Sequence, residues 1–327
     1  MLPRFLQRGF DVKSTALYLA AGFAAAVLFT ALSLESAAGF AQSFDSMHHL
    51  GMIRVFVDSG CWSALDVATY APDLRADFMP IAGWGFYPVA WHCLAAFSAS
   101  AWGVPVEVAA NATNFLFEGL VYPAGMCVLL RAIFRDNPHA QAWGALAAVS
   151  FMAFPWQMVN WGPLYPNLAA FALMPPVVAF FMALFREGAP RVERALAALL
   201  FVLGIAALAL AQPNAVFTAA VLLIPYCVVS ARRVPALVGS RADTRRRRNT
   251  ASAVTVVAIA CVWVALFNLP FLHDVVWHVW PAYTDAPKAL GNVLLLSYRE
   301  TLPQWLLAAF VLAGAVSALR DARYRWL

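Results

Sequence analysis

VPVEVAANATNFLFEGLVYP, residues 104–123, is apolar enough to begin a membrane span, yet Glu107, Asn111, Asn114 and Glu118 recur in it at spacings of four, three and four. That spacing puts all four on one face of a helix, with Glu118 about 16 Å along the axis from Glu107 at ~1.5 Å per residue. A carboxyl group at such a depth is costly against lipid, so the face must meet other helices or a wet cavity. Two readings of the stripe follow: hydrogen-bonding glue between helices, or one wall of a polar cavity.

The rest of the chain agrees that this is a span. Of 327 residues 63% are hydrophobic and only 12% charged, and the mean hydropathy is +0.71, which excludes an ordinary soluble domain. Stretches of roughly 20 apolar residues predict spans at about 14–34, 106–130, 142–160, 166–185, 195–213, 214–231, 251–271 and 303–319. The fold class expected is therefore all-α: a polytopic transmembrane helix bundle of about 8–9 spans with an extracytoplasmic first loop. The whole chain, 1–327, reads as a single transmembrane domain. It comprises an N-terminal anchor (1–35), an outward loop with juxtamembrane or re-entrant helices (36–105), a helix bundle (106–320) and a short cytoplasmic tail (321–327). SAAGFA (36–41) resembles a signal-peptidase site, but the apolar run before it is too long for a signal peptide and reads as an uncleaved anchor.

Charge sets the expected orientation. RAIFRDNPHA (131–140), FREGAPRVER (185–194), SARRVPALVGSRADTRRRRNT (230–250), the tail RDARYRWL and the N-terminus hold every Lys and Arg except Arg54, Arg75, Lys288 and Arg299. By the positive-inside rule those five segments, and both termini, are cytoplasmic in the cytoplasmic membrane, and 36–105 and 272–302 face outward. GWGFYPVAWHCLAAFSASAWG (83–103) is read as a re-entrant or juxtamembrane helix, because one more crossing there would put Arg245 to Arg248 outside. The net charge of +5 is thus explained by topology, and nucleic acid is not a predicted partner. Trp62, Trp84, Trp91, Trp156, Trp161, Trp277, Trp280 and Trp305 fall in or beside outward segments, as an interfacial belt would.

Chemistry-bearing residues gather on the same side. In AQSFDSMHHLGMIRVFVDSG (41–60) a helix brings Asp45, His48 and His49 together, with Arg54 further along. Phe86-Tyr87-Pro88 with Trp91-His92, and WGPLYPN (161–167) with Tyr165 and Asn167, lie there as well. Tyr or Asn beside proline often ends a helix, the expectation for Tyr122-Pro123. The five cysteines form no CxxC pair; Cys61 and Cys93 could meet outside the membrane. No HExxH, P-loop or GxSxG motif is present. Cofactors are unknown, and a divalent metal is not supported by ligand spacing.

With Asp45 shortly after the first span, then His49, Gly60, FYPVAWH (86–92) and GPLYPN (162–167), the chain resembles the GT-C superfamily of membrane glycosyltransferases, and more narrowly an actinobacterial branch of polytopic proteins allied to that fold. The resemblance covers about residues 1–190. It implies transfer of a sugar from a polyprenyl-phosphate donor at the outer face of the membrane, with membrane lipid and that donor as partners. Asp45 matches the acidic residue of the first extracytoplasmic loop, and Asp45 and His49 are the catalytic residues expected. His48, Arg54, Tyr87, His92, Glu107, Asn111, Asn114, Glu118, Tyr165, Asn167 and Arg299 are the substrate-binding residues expected, with Arg54 and Arg299 facing the departing phosphate and Trp84, Trp91 or Trp161 available to stack on sugar. The pattern departs from the family in that Ser46, not a second acidic residue, follows Asp45, and the chain stops just after RDARYRWL with fewer spans than many relatives. The alternatives are a transporter or flippase of lipid-linked glycans, and a non-catalytic membrane assembly protein.

Overall fold

The computed structural model describes residues 12–65, 87–160, 163–232, 245–269, 284–296 and 302–321, with positions 277, 279, 281, 282, 323 and 324. Among them there is no strand: the protein is an all-α, multi-pass membrane protein with eight helices long and apolar enough to cross a bilayer. The chain divides into two units, Met1–Ala219 and Ala220–Leu327.

The first unit opens with α1 (Val12–Ser33), a span, then α2 (Phe44–Ser59) and α3 (Ala90–Trp102). Neither α2 nor α3 is among the helices long and apolar enough to cross a bilayer. At ~1.5 Å per residue the 13 residues of α3 reach only about 20 Å, short of the ~30 Å hydrocarbon core. Within 83–103 the described residues from 90 to 102 form the short helix α3, which packs on α2 and on the start of the next span. Ser43 caps α2, accepting from the Ser46 N–H at 3.2 Å, and Gly60 closes it in the left-handed region at φ 69°.

The second span runs from Val106 to Ile133 as α4 (Val106–Leu116), a wide π turn (Phe117–Val121) and α5 (Tyr122–Ile133). Tyr122-Pro123 does not end the helix. Pro123 has no N–H to give Gly119, and its ring would strike that carbonyl, so the chain takes one extra residue in the turn and continues. The Tyr122 N–H accordingly donates to the Phe117 carbonyl. The turn is packed against α1 at Gly22, where a Cβ would collide with Pro123 and the Gly119 carbonyl. Close approach of small residues is the usual means of joining spans in lipid.

The third span, Pro138–Asn160, is α6 (Pro138–Ser150), a break and α7 (Gln157–Asn160). Phe154, held extended at φ −146° and ψ 132°, obeys the restriction on the residue before a proline. α8 (Tyr165–Leu184) and α9 (Arg191–Ala211) are the fourth and fifth spans, joined near a salt bridge from Arg186 to Glu193. The core lies where α2, α3, α4 and α8 meet: Met52, Ile53, Phe56, Trp91, Ala95 and Leu168 have no exposed surface.

The sixth span, α10 (Asn214–Ala231), begins in the first unit and ends in the second, which also holds α11 (Arg245–Phe267), α12 (Ala286–Leu294) and α13 (Leu302–Arg320). Ser252 donates to the Val228 carbonyl at 2.9 Å, linking α10 to α11. No residue of α11 is buried; its valines face outward all round, as on a helix bathed in lipid.

None of the five cysteines is in a disulfide: Cys61 is exposed just past α2 and Cys93 half-buried in α3.

Candidate functional site

Four segments end together at one side of the first unit: the C-terminal end of α1, the start of the second span, the end of α7 and the start of α8. Their polar residues enclose a cavity of about 350 Å³, with Glu35, Asn111, Asn114, Glu118, Asn160 and Tyr165 in its wall. Phe29, Phe40 and Phe115 supply apolar surface beside them. Volume and mixture are those of a small-molecule site.

Three of the four residues of the stripe read from the sequence lie in this wall. Asn111 holds the loop after α1, its Nδ2 donating to the carbonyls of Ala37 at 2.9 Å and Gly39 at 2.7 Å. Asn114 accepts from Trp91 Nε1 at 3.1 Å. Glu118, only 2% exposed, sits in the π turn, and its Oε1 has no hydrogen-bond partner. Glu107 is half-buried at the start of α4, outside the lining.

Behind Asn114 and Tyr165 lies a second cluster, made of rings. His49 and His92 meet at 2.9 Å between Nδ1 and Nε2. His49, Trp91 and Tyr165 pack with centroids 4.9 to 5.8 Å apart, and the Tyr165 hydroxyl lies within hydrogen-bonding reach of Ser46. Burial, then the neighbouring His48, holds His49 down to about 3, against a hydrogen bond to the Pro163 carbonyl that favours the charged form. Burial, and after it His49 and His48, drives His92 well below the usual histidine range. Both rings are therefore neutral, and the hydrogen-bond pattern assigns the protons. A carbonyl can only accept, so Pro163 takes the His49 proton on Nε2; Nδ1 then accepts from His92 Nε2–H, and His92 Nδ1 is left as a bare lone pair. That atom is buried without a partner.

Asp45 and His48 occupy the other flank of α2. His48 is buried and packs on Tyr87, with centroids 5.5 Å apart; desolvation lowers its pKa, and the Asp45 carboxylate pulls the other way. Desolvation first and Asp45 second raise the Tyr87 hydroxyl. Asp45 itself is half-buried in the first turn of α2 and is not among the lining residues of the cavity. His48 and His49 pack ring against ring with centroids 5.6 Å apart, and Tyr87 packs on both His48 and His92, so the rings form one cluster with Asp45 beside its His48–Tyr87 edge. Among the described residues no three His, Cys, Asp or Glu side chains are placed to hold a metal ion.

Arg54 is exposed on α2 and Asn167 is half-buried in α8, neither in the cavity. Arg299, Trp84, Trp161 and Trp280 lie outside the described residues. Trp91 is not a belt residue: it is wholly buried, its indole N–H committed to Asn114. Sequence reasoning missed Glu35 and Asn160 as wall residues. Each sits at the last turn or first loop residue of a span, and the shared end of the spans was the signal that could have found them.

No curated protein and no solved structure matches the chain. The DUF6541 profile, described only as a family of unknown function, matches residues 4–327, and the chain belongs to that family.

Proposed function

We propose that the protein is a GT-C-like glycosyltransferase that moves a sugar from a polyprenyl-phosphate donor at the outer face of the cytoplasmic membrane, both termini being cytoplasmic. The observation that carries the reading is the cavity. It lies at the end of the spans that the distribution of Lys and Arg assigns to the outside, it is about the size of a ligand site, and its wall of two carboxylates, three amides and a phenol suits a ligand rich in hydroxyls.

In this reading the acceptor hydroxyl gives its proton to a carboxylate and its oxygen attacks the anomeric carbon. The bond from that carbon to the phosphate oxygen breaks, and the lipid phosphate leaves with the electron pair. Asp45, half-buried beside Tyr87 and His48, is the base of this scheme. His49 has both ring nitrogens engaged and serves to hold Tyr165 and α3 in place. The test is transfer from a polyprenyl-phosphate sugar in membranes expressing the protein. Asp45→Asn lowers the rate about 10²- to 10⁴-fold with folding spared; unchanged transfer removes Asp45 from the mechanism.

A second reading, a transporter of lipid-linked glycans, is favoured by one observation: the second and third spans are both interrupted, at 117–121 and 151–154, as spans lining transport sites often are. It predicts substrate movement across the bilayer and no transfer product.

A further inference from the structure

The cavity is selective in charge as well as in size. Its wall carries Glu35 and Glu118, and none of its described lining residues is Lys, Arg or His. Hydrogen bonds already made sharpen the pattern. Asn111 has committed its Nδ2 to Ala37 and Gly39, so its oxygen is what remains. The unpartnered Glu118 Oε1 is a second acceptor, and Glu35 a third. Such a wall asks for a ligand that donates hydrogen bonds. A phosphate placed there would bring only acceptors to a wall whose described lining holds carboxyl groups and no cation. In the described parts of 34–65 and 87–105 the one Lys or Arg is Arg54, exposed on α2 and outside the cavity.

We infer that the cavity seats an uncharged, hydroxyl-bearing sugar residue of the acceptor, whose attacking hydroxyl lies at the cavity mouth toward Asp45, and that the phosphate of the lipid-linked donor is held outside it. This deepens the glycosyltransferase reading and rests on it. Glu118 then receives a sugar hydroxyl on Oε1, and the Asn114 amide N–H, left free by the bond from Trp91, donates back to the ring.

Binding to the full-length protein in nanodiscs tests this, by saturation-transfer NMR with the methyl glycosides of glucose, mannose, galactose and arabinose, each against its 1-phosphate. At least one glycoside is expected to bind, and its 1-phosphate about tenfold or more weakly. Glu35→Gln with Glu118→Gln brings that ratio toward one. Should the double variant fail to fold, Ser33→Lys, at an exposed position of the lining, raises the affinity of the 1-phosphate. Equal or tighter binding of the phosphates, a ratio that the variants leave unchanged, or no glycoside binding at all overturns the inference. The transfer assay separates this failure from that of the enzyme reading: transfer with a phosphate-preferring cavity sinks the acceptor assignment alone, whereas glycoside binding without any transfer sinks the enzyme reading alone.

Discussion

Neither nitrogen of His49 is left to take a proton from a ligand, while one nitrogen of His92 has no partner at all. This buried pair couples the site end of the protein to pH. All three histidines of the cluster have pKa values below the ordinary value, His49 at about 3, so between about 3 and 6.5 the unfolded chain binds protons that the native one does not. The contribution of these histidines to stability therefore rises with pH through that window, at about 1.4 kcal/mol per pH unit for each fully shifted histidine. Thermal unfolding of the detergent-solubilised protein is expected to show a midpoint that falls from pH 7 to pH 5. His92→Gln, which removes one such group, flattens the slope; a midpoint independent of pH would mean the rings are not buried neutral. Glu118 makes the complementary prediction. Among the described residues no protein group bonds to Glu118 Oε1, so Gln at 118 keeps a hydrogen-bonding group for a ligand in the cavity wall and Leu removes it. Both variants are expected to be about as stable as the native protein, and Leu alone to lose ligand binding. Ligand binding that survives Glu118→Leu would show that the side chain does not face the cavity.

At the scale of elements, the π turn decides where Glu118 points. If Pro123 causes it, Pro123→Ala restores the missing N–H and allows a regular helix, which rotates Glu118 by a fraction of a turn away from the cavity. The variant is expected to be at least as stable as the native protein and to lose ligand binding, a combination that simple damage to the fold does not give. Gly22→Val tests the same contact from α1 and costs about 1–3 kcal/mol by overpacking against Pro123. The elements themselves were largely readable. Runs of about 20 apolar residues bounded by charges leave few places for a span to start or stop, and the wide separation of α1 from the second span left room for the two short helices between them. The π turn was not readable, because Tyr122-Pro123 carries the same signal whether a helix stops or widens. The pairing of His49 with His92 was hidden for another reason: 43 residues separate them, and only the packing of α2 on α3 brings them together. Asn111, Asn114 and Glu118 showed their common face through helical spacing alone, whereas Glu35 and Asn160 have no period to reveal them.

At the scale of the whole molecule, alternate crossing makes several facts one fact. If the basic loops are cytoplasmic, then the end of α1, the starts of the second and fourth spans and the end of the third all reach the outer face. In that orientation the cavity between them opens outward. Impermeant thiol labelling of intact cells tests that claim directly, in a Cys61→Ser, Cys261→Ser background that removes the two exposed native thiols. Ser33→Cys, nearly isosteric and exposed in the cavity wall, is predicted to react, and Arg246→Cys to stay unreacted until the cells are opened. Labelling of Arg246→Cys in intact cells with Ser33→Cys protected would contradict the account, for the cavity would then face the cytoplasm.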